Sequence, residues 1–209
     1  MFRFVFPFSL FVQFISFHFT ECNCLKQGMN DFAAIVLSIT DGDEAISFWL
    51  LKVLMDRRGD NFRKDQSGMH TQLRALNRII RTIDPELFDH LEKVNATECF
   101  FAFRWMLVQF KREFSFDTTK RLWEATFSNF LTPHFDLFVA AAIILWSRDI
   151  ILTQQLQFDG ILGYAQGLSG RLPLDNLLVE AERVFFIFNQ LAPRDLKEFI
   201  AGGTDSLAP

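Results

Sequence analysis

Apolar and polar residues from residue 27 onward follow the spacing of amphipathic helices. The clearest case has apolar residues three and four positions apart, at Met69, Leu73, Leu76, Ile79, Ile80 and Ile83. An apolar run over 32–39 follows Asn30 and Asp31, two residue types that favour helix N-caps. No segment combines several β-branched strands with turn pairs. We therefore predict an all-α fold of about eight or nine helices in one layered domain.

Further helices are predicted from capping residues and apolar runs. Asp84 and Pro85 indicate a helix start, because Pro suits the first helical position. Asp117 or Thr118 is expected to cap a helix that contains Trp123. Apolar runs predict helices over 134–146, 158–168 and 174–191, with a short one after Pro193.

Residues 45–55 predict a helix with a buried apolar face. The prediction rests on seven of the apolar side chains in this segment: Ala45, Ile46, Phe48, Trp49, Leu50, Val53 and Leu54. We expect Trp49 in the core, together with Trp123, because large aromatic side chains bury extensive apolar area.

The first 26 residues differ from the rest of the chain. Eight of the 27 Phe residues lie within positions 1–19. They alternate at first and then recur at intervals of three, so neither a strand period nor a helix period holds throughout. This segment is called the Phe-rich leader below.

Three explanations of the Phe-rich leader compete. A signal peptide would use Arg3 as its basic end, but Pro7, Gln13 and His18 interrupt the apolar stretch and no A-x-A-like cleavage site follows. A membrane-inserted segment would need roughly 20 apolar residues, more than this stretch offers. Alternatively, T-rich non-coding DNA ahead of a splice site would translate as Phe-rich sequence that is not native to the fold. We favour the third explanation, and full-length cDNA that begins with this segment would contradict it.

Composition and charge exclude several classes of function. The formal net charge of −4 gives no reason to expect nucleic-acid binding, which requires clustered Lys and Arg. The three cysteines, Cys22, Cys24 and Cys99, are too few for a disulfide framework and indicate a reducing compartment. No second Cys or His pair stands at metal-ligand spacing, so we expect no metal site. The four histidines are expected at the surface or at helix caps: His18, His70, His90 and His134.

Nucleotide binding by the chain itself is not expected, since no G-x-x-x-x-G-K-[ST] loop is present. Several short segments nevertheless resemble, in order along the chain, the motifs of one known domain family. Gln27-Gly28-Met29-Asn30-Asp31 resembles the second signature motif of TBC domains, the Rab GTPase-activating family. Further blocks that resemble this family follow in register: Ser47-Phe48-Trp49, Asn61-Phe62, Asp65–Met69, Phe100–Trp105, Phe110–Phe114, Arg121–Glu124, Phe158-Asp159 and Leu168-Ser169-Gly170. The resemblance covers roughly residues 27–188.

The resemblance implies an all-α activator of Rab GTPases that acts on its partner's active site. Members of this family insert a glutamine and an arginine in trans, and the glutamine corresponds to Gln27 here. Gly28 would allow close backbone approach. Asn30 and Asp31 belong to the same motif, and Arg104, Lys111 and Arg112 are further motif or binding candidates. From the residues alone, Arg104 is expected to pack along a helix with its head paired, whereas Lys111 and Arg112 fit a partner surface or a solvated face equally well.

Two departures from the family pattern reduce the expected activity. The motif's Tyr, two residues before the glutamine, is Leu25 here, so its hydroxyl is lost. The arginine motif Ile-x-x-Asp-x-x-Arg should lie upstream of Gln27, yet residues 1–26 contain only Arg3, in a different context. We therefore expect a partial TBC domain over 27–200, incomplete at its N-terminus, with impaired activation. The alternative is a non-catalytic Rab-binding or scaffold module.

The resemblance also sets expectations for the surroundings of the chain. The partner GTPase would carry GTP and Mg²⁺, so the chain itself needs no cofactor. We expect a cytoplasmic protein of vesicle trafficking that reaches endomembranes through its partner. The alternative is membrane association through residues 1–20. Residues 201–209 are expected to form a flexible tail.

Overall fold

The computed structural model describes residues 28–203, and every regular element in this range is helical. Eleven α-helices occur, numbered here in chain order: α1 Met29–Ile39, α2 Glu44–Arg58, α3 Ser67–Ile83, α4 Pro85–Lys93, α5 Phe103–Leu107, α6 Phe116–Phe127, α7 Phe135–Trp146, α8 Arg148–Thr153, α9 Phe158–Gly167, α10 Leu174–Leu191 and α11 Arg194–Ile200. Two 3₁₀ helices, Gly59–Phe62 and Phe100–Ala102, complete the set. The all-α prediction is confirmed. The Phe-rich leader, Gln27 and residues 204–209 lie outside the described residues.

The described chain divides into two compact units, 28–68 and 69–203. In the first unit, α1 and α2 are joined by a short turn over 40–43. Asp43 caps α2 by accepting a hydrogen bond from the Ile46 amide at 2.9 Å. The Phe32 ring of α1 meets the Phe62 ring edge to face, with centroids 6.1 Å apart.

The buried face predicted for α2 is wrong. The buried residues of this helix are Ser47, Leu51, Met55 and Arg58. The apolar side chains of Ile46, Trp49, Leu50 and Val53 are instead exposed, and Trp49 is 63% exposed rather than in the core. Apolar residues surround much of α2, so the periodicity did not single out one face.

The second unit is centred on α7, whose residues from Phe135 to Ile144 are all buried. Helix α10 packs against it, and the Phe138 ring contacts the rings of Phe185 and Phe188 at 5.2 and 5.3 Å. The predicted core helix over 134–146 is thus confirmed within one residue.

Helix boundaries in the second unit agree with most sequence predictions. The Asp84 carboxylate caps α4 by accepting from the Leu87 amide at 3.0 Å. The cap predicted for α6 is wrong. Neither Asp117 nor Thr118 is the N-cap; Ser115 is, and its hydroxyl oxygen accepts from the amide of Thr118. The helix therefore begins at Phe116. The short helix α8 was not predicted, and α5, the helix expected to carry Arg104, was given no bounds of its own; these two helices account for the larger helix count.

The described histidines occupy three different environments. His70 is exposed, as expected. The prediction is wrong for His90, which is buried and has its Nε2 2.9 Å from the carbonyl oxygen of Leu156. Since a carbonyl only accepts, that nitrogen carries the proton. His134 precedes α7 and stacks on Phe199 at 4.6 Å. His18 lies outside the described residues.

Candidate functional site

The first candidate site is the start of α1, immediately after Gln27. Gln27 itself lies outside the described residues, so its role as a glutamine finger stays a prediction. Gly28 is the buried N-cap of α1, with φ 106° and ψ −23°. Residues with a Cβ rarely adopt this left-handed conformation, which explains why glycine follows Gln27. The conformation turns the chain into the helix directly after that glutamine.

Asn30 and Asp31 do not form the predicted N-cap, because α1 already begins at Met29. Both side chains lie in the first turn, where Asn30 is exposed and Asp31 is half-buried. The Asp31 amide donates to the Gly28 carbonyl at 3.0 Å. An acidic side chain in the first turn is favoured by the partial positive charge at a helix N-terminus. Asp31 therefore stabilises the helix start that follows Gln27.

Replacing Gly28 with alanine is expected to lower the free energy of unfolding by about 1–2 kcal/mol, since a Cβ disfavours positive φ. Denaturant titration of the variant measures the loss. Gly167, which has ordinary helical φ and open space where a Cβ would lie, supplies the matched control. Its replacement with alanine is expected to be neutral or slightly stabilising. Equal effects at the two positions would contradict the strain assigned to Gly28.

The second candidate site surrounds the Phe110–Phe114 segment in the second unit. Arg104 on α5 donates from Nε and an Nη atom to the two carboxylate oxygens of Glu113, at 2.8 and 3.0 Å. The Glu113 side chain is fully buried, whereas the Arg104 side chain is 37% exposed. Burial raises the pKa of the Glu113 carboxyl above its ordinary value, and Arg104 lowers it part of the way back. Arg104 therefore has its head paired, as predicted.

Two consecutive residues at the start of this segment have left-handed backbones: Gln109, which precedes it, at φ 47°, and Phe110, its first residue, at φ 60°. Hydrogen bonds fix this turn from several sides. The Trp123 indole N–H donates to the Gln109 carbonyl at 2.9 Å, and the Gln109 side-chain amide donates to the Asp136 carboxylate at 3.1 Å. The amide of Phe110 donates to the Trp105 carbonyl at 2.8 Å. A strained backbone persists when its surroundings determine it in this way.

The motif at Leu168-Ser169-Gly170 is joined to the Phe110–Phe114 segment by two hydrogen bonds. The Ser169 hydroxyl donates to the Arg112 carbonyl at 2.6 Å, and the Gly170 amide donates to the Glu113 carbonyl at 2.8 Å. Two sequence blocks more than fifty residues apart are thus parts of one structural unit.

Lys111 and Arg112 lie on the outside of this unit. The Lys111 ammonium is 4.9 Å from the centroid of the Phe116 ring, a cation–π contact, and Arg112 is exposed. The structure therefore places Arg104, Lys111 and Arg112 around one turn of the second unit. Gly28, Asn30 and Asp31 lie together at the start of α1 in the first unit.

The sequence profile of the Rab-GTPase-TBC domain matches residues 13–152. The chain belongs to the Rab-GTPase-TBC domain family. The matched range begins within the Phe-rich leader and includes the helix start at Gly28 and the Phe110–Phe114 turn.

Curated relatives of this TBC domain are named as GTPase-activating proteins or as TBC family members. The GTPase-activating protein gyp7 of Schizosaccharomyces pombe is 42% identical over 180 residues, which cover 86% of this chain and 24% of the relative. GYP7 of Yarrowia lipolytica is 39% identical, covering 78% of this chain and 22% of the relative. TBC1 domain family member 17 of Homo sapiens is 33% identical, and the match covers 75% of this chain and 24% of the relative. The chain thus spans about a quarter of the length of these relatives.

Among solved structures, the Ypt/Rab-GAP domain of Gyp1p is similar, with a TM-score of 0.62 at 22% identity. The similarity covers 79% of this chain and 60% of that chain. At this identity the comparison shows the fold alone, which is that of a Rab-GAP domain.

The described part of this TBC domain offers neither a reactive thiol nor a metal cluster. Burial raises the pKa of the Cys99 thiol to about 12, so it is protonated at neutral pH. No group of three or more His, Cys, Asp or Glu side chains among residues 28–203 could hold a metal ion. Within the same range, no helix is long and apolar enough to cross a bilayer.

The sequence patterns did not indicate Gln109 and Asp136, the buried polar pair that holds the Phe110 turn. Each is a polar residue within an apolar stretch of the TBC domain, and that context is the signal that could have found them. Buried polar side chains require partners, so such residues indicate a fixed internal hydrogen bond.

Proposed function

We propose that this TBC domain binds a Rab-family small GTPase and promotes hydrolysis of its GTP, with Gln27 entering the partner's nucleotide site. The observation that carries the proposal is the left-handed Gly28 that begins α1 directly after Gln27. The names of the relatives support the same activity, since several are called GTPase-activating proteins.

The chemistry assigned to Gln27 is positioning. Hydrolysis of GTP requires a water molecule aligned with the γ-phosphate and stabilisation of the charge that develops during transfer. A glutamine amide both donates and accepts hydrogen bonds, so it can orient that water. Gly28 is buried as the N-cap of α1, so its contribution is the turn of the chain directly after Gln27 rather than a surface for close approach. The partner holds GTP and Mg²⁺, and the TBC domain needs no cofactor of its own.

We further propose that the 209-residue polypeptide accelerates hydrolysis less than a complete activator. Its sequence contains no Ile-x-x-Asp-x-x-Arg segment upstream of Gln27. An arginine finger contributes a factor of about 10³–10⁵ to the rate. The same observation favours the second candidate function, a Rab-binding or scaffold module without catalytic effect.

Hydrolysis rates and affinities measured together distinguish the two functions. A panel of purified Rab proteins would be loaded with GTP for single-turnover hydrolysis, and with a non-hydrolysable analogue for binding. Activation predicts a rate increase that Gln27→Ala abolishes, with little change in affinity, whereas a scaffold predicts binding without acceleration. The absence of binding to every Rab in the panel would contradict both functions.

We propose a cytoplasmic location with recruitment to endomembranes through the bound GTPase. Vesicles that carry a lipid-anchored, GTP-loaded Rab should sediment with the protein, and bare vesicles should leave it in the supernatant. Sedimentation with bare vesicles would support direct association through residues 1–20 instead.

A further inference from the structure

An apolar groove of about 530 Å³ runs between α6 and α10 in the second unit. Both helices contact α7, and Phe135, the first residue of α7, lines the groove. Its other apolar lining residues are Ala125, Phe130, Leu131, Leu178 and Val179. We call this feature the α6–α10 groove. Its volume is in the range of sites that take a ligand or a peptide side chain.

Each wall of the groove is one face of a helix. The residues from α6 that line it are Arg121, Glu124 and Ala125, and those from α10 are Leu178, Val179 and Glu182, in each case at spacings of three and four. Such spacings place side chains on one side of a helix. A groove whose walls are two helix faces can take a third helix against them.

Two large apolar side chains of the groove are unusually exposed. Phe130 is 81% exposed and Val179 is 69% exposed. Exposed apolar side chains beside an apolar groove mark a surface that a protein partner can cover and remove from water.

The charge of the groove is negative on both walls. Arg121 is neutralised by Asp175, to which its guanidinium donates at 2.5 Å. The remaining charged lining residues are Glu124 on α6 and Glu182 on α10, and both are exposed. The occupant should therefore carry positive charge on both of its flanks.

We propose that the α6–α10 groove binds an amphipathic helix of a partner protein, whose apolar stripe is flanked by Lys or Arg on both sides. The apolar stripe lies on Leu178 and Phe135, and the flanking cations meet Glu124 and Glu182. This contact involves neither Gln27 nor a nucleotide, so it is a function additional to GTPase activation.

The test uses two fluorescent helical peptides in anisotropy titrations with the full chain. Both carry leucines at i, i+3, i+4 and i+7, and one has lysines beside that stripe where the other has glutamates. We expect the lysine peptide to bind at least about tenfold more tightly than the glutamate peptide, because of the two acidic walls. The double variant Glu124→Lys with Glu182→Lys should instead bind the glutamate peptide more tightly than the lysine peptide.

A matched pair of variants on α10 locates the site. Val179→Asn should weaken binding of the lysine peptide about tenfold or more, because it makes the groove polar without changing its charge. Leu191→Asn should leave binding unchanged, because Leu191 is 62% exposed on the same helix but outside the groove. Both positions are exposed, so neither variant should unfold the protein. Equal binding of the two peptides, or equal effects of the two variants, would overturn the proposal.

Other occupants give distinct results. A dimer that Val179→Asn dissociates in sedimentation equilibrium would assign the groove to a second copy of this chain and overturn the proposal. Failure of the peptide test would leave GTP hydrolysis unaffected, so it is distinguishable from failure of the activation assay.

Discussion

Replacing Trp123 with alanine is expected to lower the free energy of unfolding by about 3–5 kcal/mol. Trp123 is only 4% exposed, and its ring meets Phe127 edge to face at 5.4 Å. Its indole N–H also donates to the Gln109 carbonyl at 2.9 Å, inside the left-handed turn. Alanine would leave a cavity and an unsatisfied carbonyl, and both effects destabilise the fold.

Trp49 provides the control, because it is the same residue type at an exposed position, 63% exposed on α2. Trp49→Ala is expected to change the unfolding free energy by no more than about 0.5 kcal/mol. Urea titration followed by far-UV circular dichroism measures both variants without relying on tryptophan fluorescence. Similar losses for Trp49→Ala and Trp123→Ala would contradict the burial described for these two residues.

Removing Arg104 while Glu113 remains is expected to cost about 3 kcal/mol at neutral pH. The Arg104→Met variant keeps most of the side chain's apolar stem but leaves the fully buried Glu113 carboxylate without its bidentate partner. This expected loss is at the low end for breaking a buried ion pair, because the Arg104 side chain is partly exposed.

The loss caused by Arg104→Met should depend on pH in a defined direction. Burial already raises the pKa of Glu113 in the folded protein, and loss of Arg104 raises it further. An acid whose folded pKa lies above its unfolded pKa favours folding below the unfolded value, and this preference is lost as pH rises through the folded value. The difference in the free energy of unfolding between wild type and Arg104→Met should therefore be small at acid pH and increase toward neutral pH.

The double variant Arg104→Met with Glu113→Gln separates charge burial from the loss of packing. It should recover much of the stability lost in Arg104→Met, because no uncompensated charge remains buried. Its stability should also lose the pH dependence assigned to Glu113. Unfolding curves at several pH values provide both results. A difference in unfolding free energy between wild type and Arg104→Met that decreases toward neutral pH would contradict the raised pKa of Glu113.

The helices that could be predicted best are those with one apolar face or a clear local cap. Helix α10 has the predicted bounds of 174–191, and α4 begins at Pro85 after its Asp84 cap. The face of α2 could not be predicted, because apolar residues point to several sides of that helix. Tertiary packing selected Leu51 and Met55, which no sequence period distinguished from Trp49.

In the candidate sites, too, features that depend on neighbouring residues could be predicted, and contacts between residues far apart in the chain could not. A glycine at Gly28 indicates special backbone geometry in the sequence itself, and the structure shows it as φ 106°. The bonds from Ser169 and Gly170 to the Phe110–Phe114 segment join residues far apart in the chain. Residue spacing alone carries no information about such contacts, so only the family resemblance connected these blocks.

The role of Gln27 in the partner's nucleotide site is tested most directly with a transition-state analogue. The affinity of the chain would be measured for a Rab loaded with GDP, with and without aluminium fluoride. A finger that acts on the reacting phosphate predicts about tenfold tighter binding, or more, with aluminium fluoride, and Gln27→Ala should remove that preference. Equal affinity for the two forms, or a preference that survives in Gln27→Ala, would contradict a catalytic role for this residue.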